Sequence, residues 1–494
     1  MSRIRQLAGQ TAIYGLSSVV ARFLNYLLVP LQTNVMVTSS YGIVSEMYAY
    51  VSFLIIILTY GMETGFFRFA ESNHDYKKVF GTSVISLFST SALFVIFVII
   101  FAQPIADILN YHDYKNYVIW FGIIIGCDAF ASIPFAKLRQ QNKAGRFVLI
   151  KTISILINIF FNIFFLWFCP KVIHSDPDSI LTHIYSSDNL VGYVFISNLI
   201  GSVLTLILLI PDIFDFKLYF DKIIWKKMLI YSLPLLIGGL AGIINETMDR
   251  IFIKNLLTGS YKYIMGQVGI YSANYKIAIL MTLFIQMFRF AAEPFFFAQN
   301  KETDSKQLYA DVMKYFVIFC LIIFLGVMMY IDIIKYFIGK DYWSGLKIVP
   351  IVLLANLFLG IFFNLSIWYK LNNKTKYGAY LSIFGAIITI IFNIWLIPLK
   401  GSFGGIMGAA WATFFCYFSM MIMSYFLGQK YFPVKYNLKR IFGYFLFALT
   451  LFFISIKSKT DNLIVDLIIN TFLFLIFIFT IIYKEKFYKF LLIK

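Results

Sequence analysis

The chain has 494 residues, 60% of them hydrophobic and only 13% charged, with a formal net charge of +18. A soluble domain is about half apolar and about a quarter charged, so this chain has too little polar surface to cover a water-facing globule of its size. A soluble enzyme is excluded, and the positive charge fits loops at one membrane face better than a nucleic-acid surface.

Apolar runs of about 20 residues, long enough to cross a bilayer as helix, recur along the whole length. Runs such as "VISLFSTSALFVIFVIIFA" are continuous rather than alternating, which argues for helices over a closed barrel. The fold class expected is an all-α polytopic membrane protein. Fourteen spans are expected, at roughly 11–37, 42–70, 80–102, 117–137, 147–169, 190–210, 230–256, 267–297, 310–331, 346–370, 378–398, 404–427, 441–456 and 462–483. If "MSRIRQ" lies inside, alternate loops such as 137–146, 211–229 and 370–377 hold most of the Lys and Arg, and both ends are cytoplasmic. The first apolar run is interrupted by Arg22 and continues past it, unlike a cleaved signal peptide. Cys127, Cys169, Cys320 and Cys416 show neither a disulfide framework nor metal spacing, and no cofactor is expected.

Taken in order, the spans repeat. "YGIVSEMY" at 41–48 resembles "VGIYSANY" at 268–275, sharing G-I-x-S-x-x-Y. "IYGLS" at 13–17 matches "IYSLP" at 230–234, "FFRFA" at 66–70 matches "PFFFA" at 294–298, and "KLRQQNKAG" at 137–145 matches "KLNNKTKYG" at 370–378. These echoes are colinear, as an internal repeat requires. The expected organisation is a six-helix half at 1–225, a second at 226–430 in the same orientation, and two added spans with a basic tail at 431–494. Parallel repeats of this kind are related by an axis along the membrane normal, with the substrate path between them.

Four stretches bring a family to mind. "GGIMGAAWAT" at 404–413 resembles the start of helix 12 in the multidrug/oligosaccharidyl-lipid/polysaccharide exporter superfamily. "YGIVSEMY", "FAKLRQQNKAGRFVLIKTISILINIFFN" at 135–162 and "PLLIGGLAGIINETMDRIFI" at 234–253 resemble helix 2, the helix 4–5 junction and helix 7 of its polysaccharide-transport branch. The resemblance covers about the first 430 residues and implies a Wzx-like flippase. Such a protein moves undecaprenyl-pyrophosphate-linked oligosaccharide from the cytoplasmic to the outer leaflet of the bacterial inner membrane. Independently of any name, Gly404, Gly405, Gly408, Ala409, Ala410 and Ala412 leave one helix side almost bare, which suits close packing in lipid. The basic junctions at 137–146 and 370–376 are expected to be positive-inside anchors, with a role in meeting lipid phosphate as the alternative.

A charge inside a membrane is costly and tends to mark function. Ser18, Arg22, Asn25 and Gln32 share one stripe of the first span, which must face protein or water. The seventh span carries Asn245, Glu246, Asp249 and Arg250. Glu246 and Arg250 stand at i,i+4 and can neutralise one another, leaving Asp249 without an obvious local partner. The eighth carries Lys276, Arg289 and Glu293. The second carries Glu46 and Arg68 near its ends and Glu63 deeper, while Lys151 in the fifth is expected to snorkel. The expected cationic cavity comprises Arg22, Asn25, Arg250, Lys276 and Arg289. Glu63, Glu246, Asp249 and Glu293 are expected to balance charge or bind a coupling ion, H+ or Na+. The other partners expected are membrane lipids, with no nucleic acid, and the chain is expected to be a monomer.

Two alternatives stay open. A cation-coupled drug antiporter of the same superfamily would share the fold but favour acids in its cavity. An integral-membrane glycosyltransferase or polymerase would use a lipid-linked substrate too. Its best sequence feature, "SDPDS" at 175–179, reads as a turn-rich outer loop, so a transporter rather than an enzyme is expected.

Overall fold

The computed structural model describes residues 19–20, 22–71, 75–183, 185–214, 219–299, 305–372 and 374–485. Among them there is no strand, as the continuous apolar runs require. Twelve helices are long and apolar enough to cross a membrane. A pair bent by 48°, Tyr261–Ile277 with Ile279–Ala292, would make a thirteenth. The first expected span begins in residues outside the described set.

By compactness the chain divides into two units, 1–269 and 270–494. The expected repeat boundary at 225/226 lies ahead of the seventh expected span, so compact unit and repeat are different stretches. Unit 1 contains α1 (Leu28–Val35), α2 (Thr38–Thr59), α3 (Met62–Ala70), α4 (Tyr76–Ile100), α5 (Lys115–Gln140), α6 (Ala144–Ile163), α7 (Leu190–Ile213), α8 (Lys222–Leu256) and the start of α9 (Tyr261–Ile277). α5 packs against α4 and α7, and α8 runs along α2 and α3. A cluster including Met62, Phe66, Phe80, Ile133, Leu138 and Met228 forms the apolar core at the end that carries the 137–146 junction.

The second expected span is two helices. Tyr60 (φ 35°) and Gly61 (φ 71°) turn left-handed between α2 and α3. Gly61 suits that conformation and also the packing, because a Cβ there would stand 2.9 Å from the Ser232 carbonyl oxygen of α8. Further along, the repeated G-I-x-S-x-x-Y motifs meet. A Cβ on Gly42 would lie 2.9 Å from the Met265 carbonyl carbon and 3.1 Å from the Gly269 nitrogen. One on Gly269 would lie 3.0 Å from the Thr38 carbonyl carbon and from the Gly42 nitrogen. Each glycine meets the other and the residue four positions before it, as in a two-fold contact between equivalent surfaces. Only helices without side chains at the crossing approach this closely.

Unit 2 holds the rest of α9, then α10 (Ile279–Gln299), α11 (Ser305–Met329), α12 (Val349–Leu365), α13 (Lys376–Leu396), α14 (Ile406–Tyr431), α15 (Leu438–Lys457) and α16 (Leu463–Lys484). The small-residue face of α14 packs as expected: Ala409, Ala410 and Ala412 are fully buried. A Cβ on Gly408 would stand 2.7 Å from the Leu396 carbonyl carbon. α15 and α16 are tied to α11 through Glu485, which pairs with Lys314 at 2.6 Å and accepts from Tyr444 at 2.7 Å. Burial opposes ionisation of Glu485, yet these hydrogen bonds hold its carboxyl below the usual glutamate range.

Replacing Gly42 by Ala should lower the thermal midpoint in detergent, because backbone cannot yield to the new methyl. Gly242→Ala, which meets nothing within 4 Å, should leave it unchanged or raise it through the gain of about 1 kcal/mol in helix propensity. Equal tolerance of the two substitutions would show that the glycine crossing is not made.

Candidate functional site

Two clusters of charged side chains stand out in unit 1. In the first, Glu46 of α2 is fully buried and pairs with Lys254 of α8 at 2.8 Å. Lys254 also donates to the Leu109 carbonyl at 2.7 Å and stands 4.8 Å from the Tyr111 ring centre. The Tyr111 hydroxyl donates to the second oxygen of Glu46. Burial, reinforced by the adjoining carboxylate, holds the Tyr111 phenol well above its ordinary range. Glu46, expected near a span end, is closed off from solvent, and a lysine and a phenol replace water. Lys254 and Tyr111 were missed because one sits at a span end and the other in a loop, with no spacing that links them.

The second lies at the 137–146 junction. Its bases are not free anchors. Lys137 is fully buried and donates to the Asp212 carbonyl at 2.7 Å, and Arg146 pairs with the Asp212 carboxylate at 2.7 Å. Arg139 pairs with Glu63, so this acid balances a junction arginine. Lys151 lies over the Phe135 ring at 4.2 Å within the electrostatic reach of Asp128, Arg139 and Glu63, instead of extending alone to the interface. Asp128 lies within electrostatic reach of Ser202 of α7 and of Lys151. It was passed over in the sequence as a single acid in an apolar run. The equivalent junction in unit 2 differs: Lys374 rests on the Tyr431 ring at 3.5 Å, and neither it nor Lys376 makes an ion pair among the described residues.

The remaining expected residues are dispersed. Arg22 and Asn25 are exposed, and Arg22 has no partner among the described residues. Gln32 leaves their stripe to form a buried bond from its amide to Asn162 at 3.0 Å, while Ser18 lies outside the described residues. The expected Glu246–Arg250 neutralisation is absent. Arg250 turns back to donate to the Glu246 carbonyl at 2.9 Å, and the exposed Glu246 carboxylate makes no ion pair among the described residues. The helix geometry that puts i and i+4 side by side serves the backbone oxygen here. Asp249 and Asn245 are buried and engaged, so Asp249 is not the unpartnered acid expected. Lys276 is half-buried and also engaged. Arg289 is exposed, 4.9 Å from the Phe363 ring, and lines a small cavity with Ile285, Asn364 and Ser366. The side chain of Glu293 lies outside the described residues. No group of three His, Cys, Asp or Glu able to hold a metal occurs among the described residues.

Breaking the Glu46–Lys254 pair from one side strands a buried charge. Lys254→Met should cost about 3–5 kcal/mol, read as a lowered unfolding midpoint. The double variant Glu46→Gln, Lys254→Met should recover most of that loss. A single variant as stable as the parent would mean that the pair is not buried as described.

Residues 7–300 match the sequence profile of a family described as polysaccharide biosynthesis protein. None of the curated proteins compared with the chain matches it. Among solved structures, a lipid II flippase MurJ in an inward closed conformation superposes with a TM-score of 0.73 at 17% identity, covering 96% of this chain and 98% of that one. An inward-facing multidrug-resistance MATE transporter of the MOP superfamily gives 0.60 at 14% identity, covering 87% and 94%. An outward-facing one gives 0.59 at 14% identity, covering 87% and 98%. These likenesses show that the chain shares the fold of those structures. By its profile match over more than half its length, the chain belongs to the polysaccharide biosynthesis protein family.

Proposed function

We propose that the protein is a flippase that carries undecaprenyl-pyrophosphate-linked oligosaccharide units from the cytoplasmic to the outer leaflet of a bacterial inner membrane, with both termini cytoplasmic. The observation that carries this reading is the family match over 7–300 joined to a full-length likeness to a flippase of a lipid-linked precursor. The chemistry agrees. A pyrophosphate cannot cross about 30 Å of hydrocarbon without fixed cations. Arg22, Asn25, Arg250, Lys276 and Arg289 serve that need: the guanidinium fork grips oxygens in pairs, and lysine supplies a point charge. Of these, Arg22 is exposed and unpaired among the described residues, the condition of a group held for a ligand. Asp249, Glu246, Glu63 and Glu293 balance the cations or take the coupling H+ or Na+. Two six-helix halves, related by about 180° around the membrane normal, rock about the site.

A cation-coupled multidrug antiporter is the second reading, supported by the likeness to MATE transporters. It puts the working charge on the acids. A catalytic polymerase has no such support.

Alanine at Arg22, Lys276 or Arg289 should abolish surface polysaccharide without lowering the amount of protein in the membrane. Arg22→Lys should restore part of it, because the fork is lost and the charge kept. Normal export by all three alanine variants contradicts the flippase reading and turns attention to Glu246 and Asp249.

A further inference from the structure

We propose that Arg139 and Lys151 form a seat for a phosphate anion at the junction end of unit 1, and that Glu63 occupies part of it in the conformation described. For the nature of the anion this rests on the flippase reading; the seat itself rests on geometry.

Both cations stand on one aromatic floor. Lys151 Nζ is 4.2 Å from the centre of the Phe135 ring, and the Arg139 guanidinium is 5.9 Å from Phe147 and 5.1 Å from Phe67. Phe135 and Phe147 meet edge to face at 5.2 Å, so the two cations are neighbours across adjoining rings and feel one another's charge. Like charges held together in this way are stabilised by an anion between or above them.

Neither cation is fully met. Lys151 is exposed and makes no ion pair among the described residues. The nearby acid of α5, Asp128, acts on Lys151 through space without forming an ion pair with it among the described residues. Arg139 uses a terminal nitrogen on Glu63, and its Nε is buried with no acceptor among the described residues. A buried donor without an acceptor is costly, and phosphate oxygens are the acceptors that a guanidinium fork takes in pairs. The flanking bases differ. Lys137 and Arg146 both bond to Asp212, so they bind helices together.

Glu63 is placed to compete. It lies in the first turn of α3, two residues past Gly61, behind the left-handed break at Tyr60–Gly61. That break interrupts the helix, so α3 can tilt about it without losing its own hydrogen bonds. A phosphate on Arg139 and the Glu63 carboxylate on Arg139 exclude one another. By linkage, anion binding then favours positions of α3 that withdraw Glu63, and those positions strengthen anion binding. The same seat would therefore report the arrival of the phosphate to the segment joining α2 to the junction.

The test is calorimetric titration of the purified, full-length protein with inorganic pyrophosphate. Lys151→Met should weaken binding at least about tenfold and Lys151→Arg should keep most of it, since a cation on the Phe135 ring is retained. Glu63→Gln should tighten binding by about tenfold through removal of the competing carboxylate. Lys376→Ala, at the other junction, should bind like the parent, which separates a seat from general attraction to basic loops. The proposal is overturned if Lys151→Met binds as the parent does, if Glu63→Gln binds no tighter, or if the parent binds no pyrophosphate. Should Arg22→Ala abolish binding while Lys151→Met preserves it, the seat fails and the flippase reading stands. Size-exclusion profiles matching the parent exclude misfolding as the cause of a loss.

Discussion

Hydrocarbon does not solvate charge, and the placement of ionisable side chains in this protein follows from that. Each such group inside the bundle has to find a counter-charge, a ring, a carbonyl or water. Unit 1 satisfies the rule in two clusters: Glu46 with Lys254 and Tyr111 in one, Asp212 with Lys137 and Arg146 in the other. Unit 2 does so through Asp332 with Lys335 and Lys459, and through Glu485 with Lys314. Against that background the incompletely met cations stand out. Among the described residues, Arg22 is exposed without a partner, Lys151 lies over a ring and makes no ion pair, and the Arg139 Nε has no acceptor. On the flippase reading proposed above, some cations have to stay in this state, because a cation already neutralised has no charge to offer the cargo.

The second constraint is packing without a hydrophobic driving force. Lipid tails are as apolar as leucine, so helices in a membrane are held by close approach and polar contacts. The glycine pair Gly42–Gly269 and the bare face of α14 are two answers to this demand. The first explains why one short motif occurs twice. The same glycine in each copy is needed because the copies cross on each other, and a side chain on either would strike the other's backbone.

The membrane class, the helical spans and the packing role of the Gly404–Thr413 stretch were legible in the sequence, because hydropathy and small-residue spacing are local properties. The polysaccharide biosynthesis family was legible in a few stretches that resemble its packing and junction patterns. The pairing of charges was not. Local spacing suggested Glu246 with Arg250, and the arginine instead took a carbonyl of its own helix. Glu46 with Lys254 and Glu63 with Arg139 are set by which helices meet, across 208 and 76 residues of chain. Asp128 was illegible for the same reason: its partners Ser202 and Lys151 belong to two other helices.

The measurement closest to the central claim is translocation in vesicles. The purified protein, reconstituted into liposomes with a fluorescent undecaprenyl-pyrophosphate-linked oligosaccharide, should expose inner-leaflet label to an external quencher far faster than empty liposomes do. An otherwise identical lipid lacking the pyrophosphate should not be moved. Equal movement of both lipids, or of neither, would contradict an account in which fixed cations carry a phosphate across the membrane.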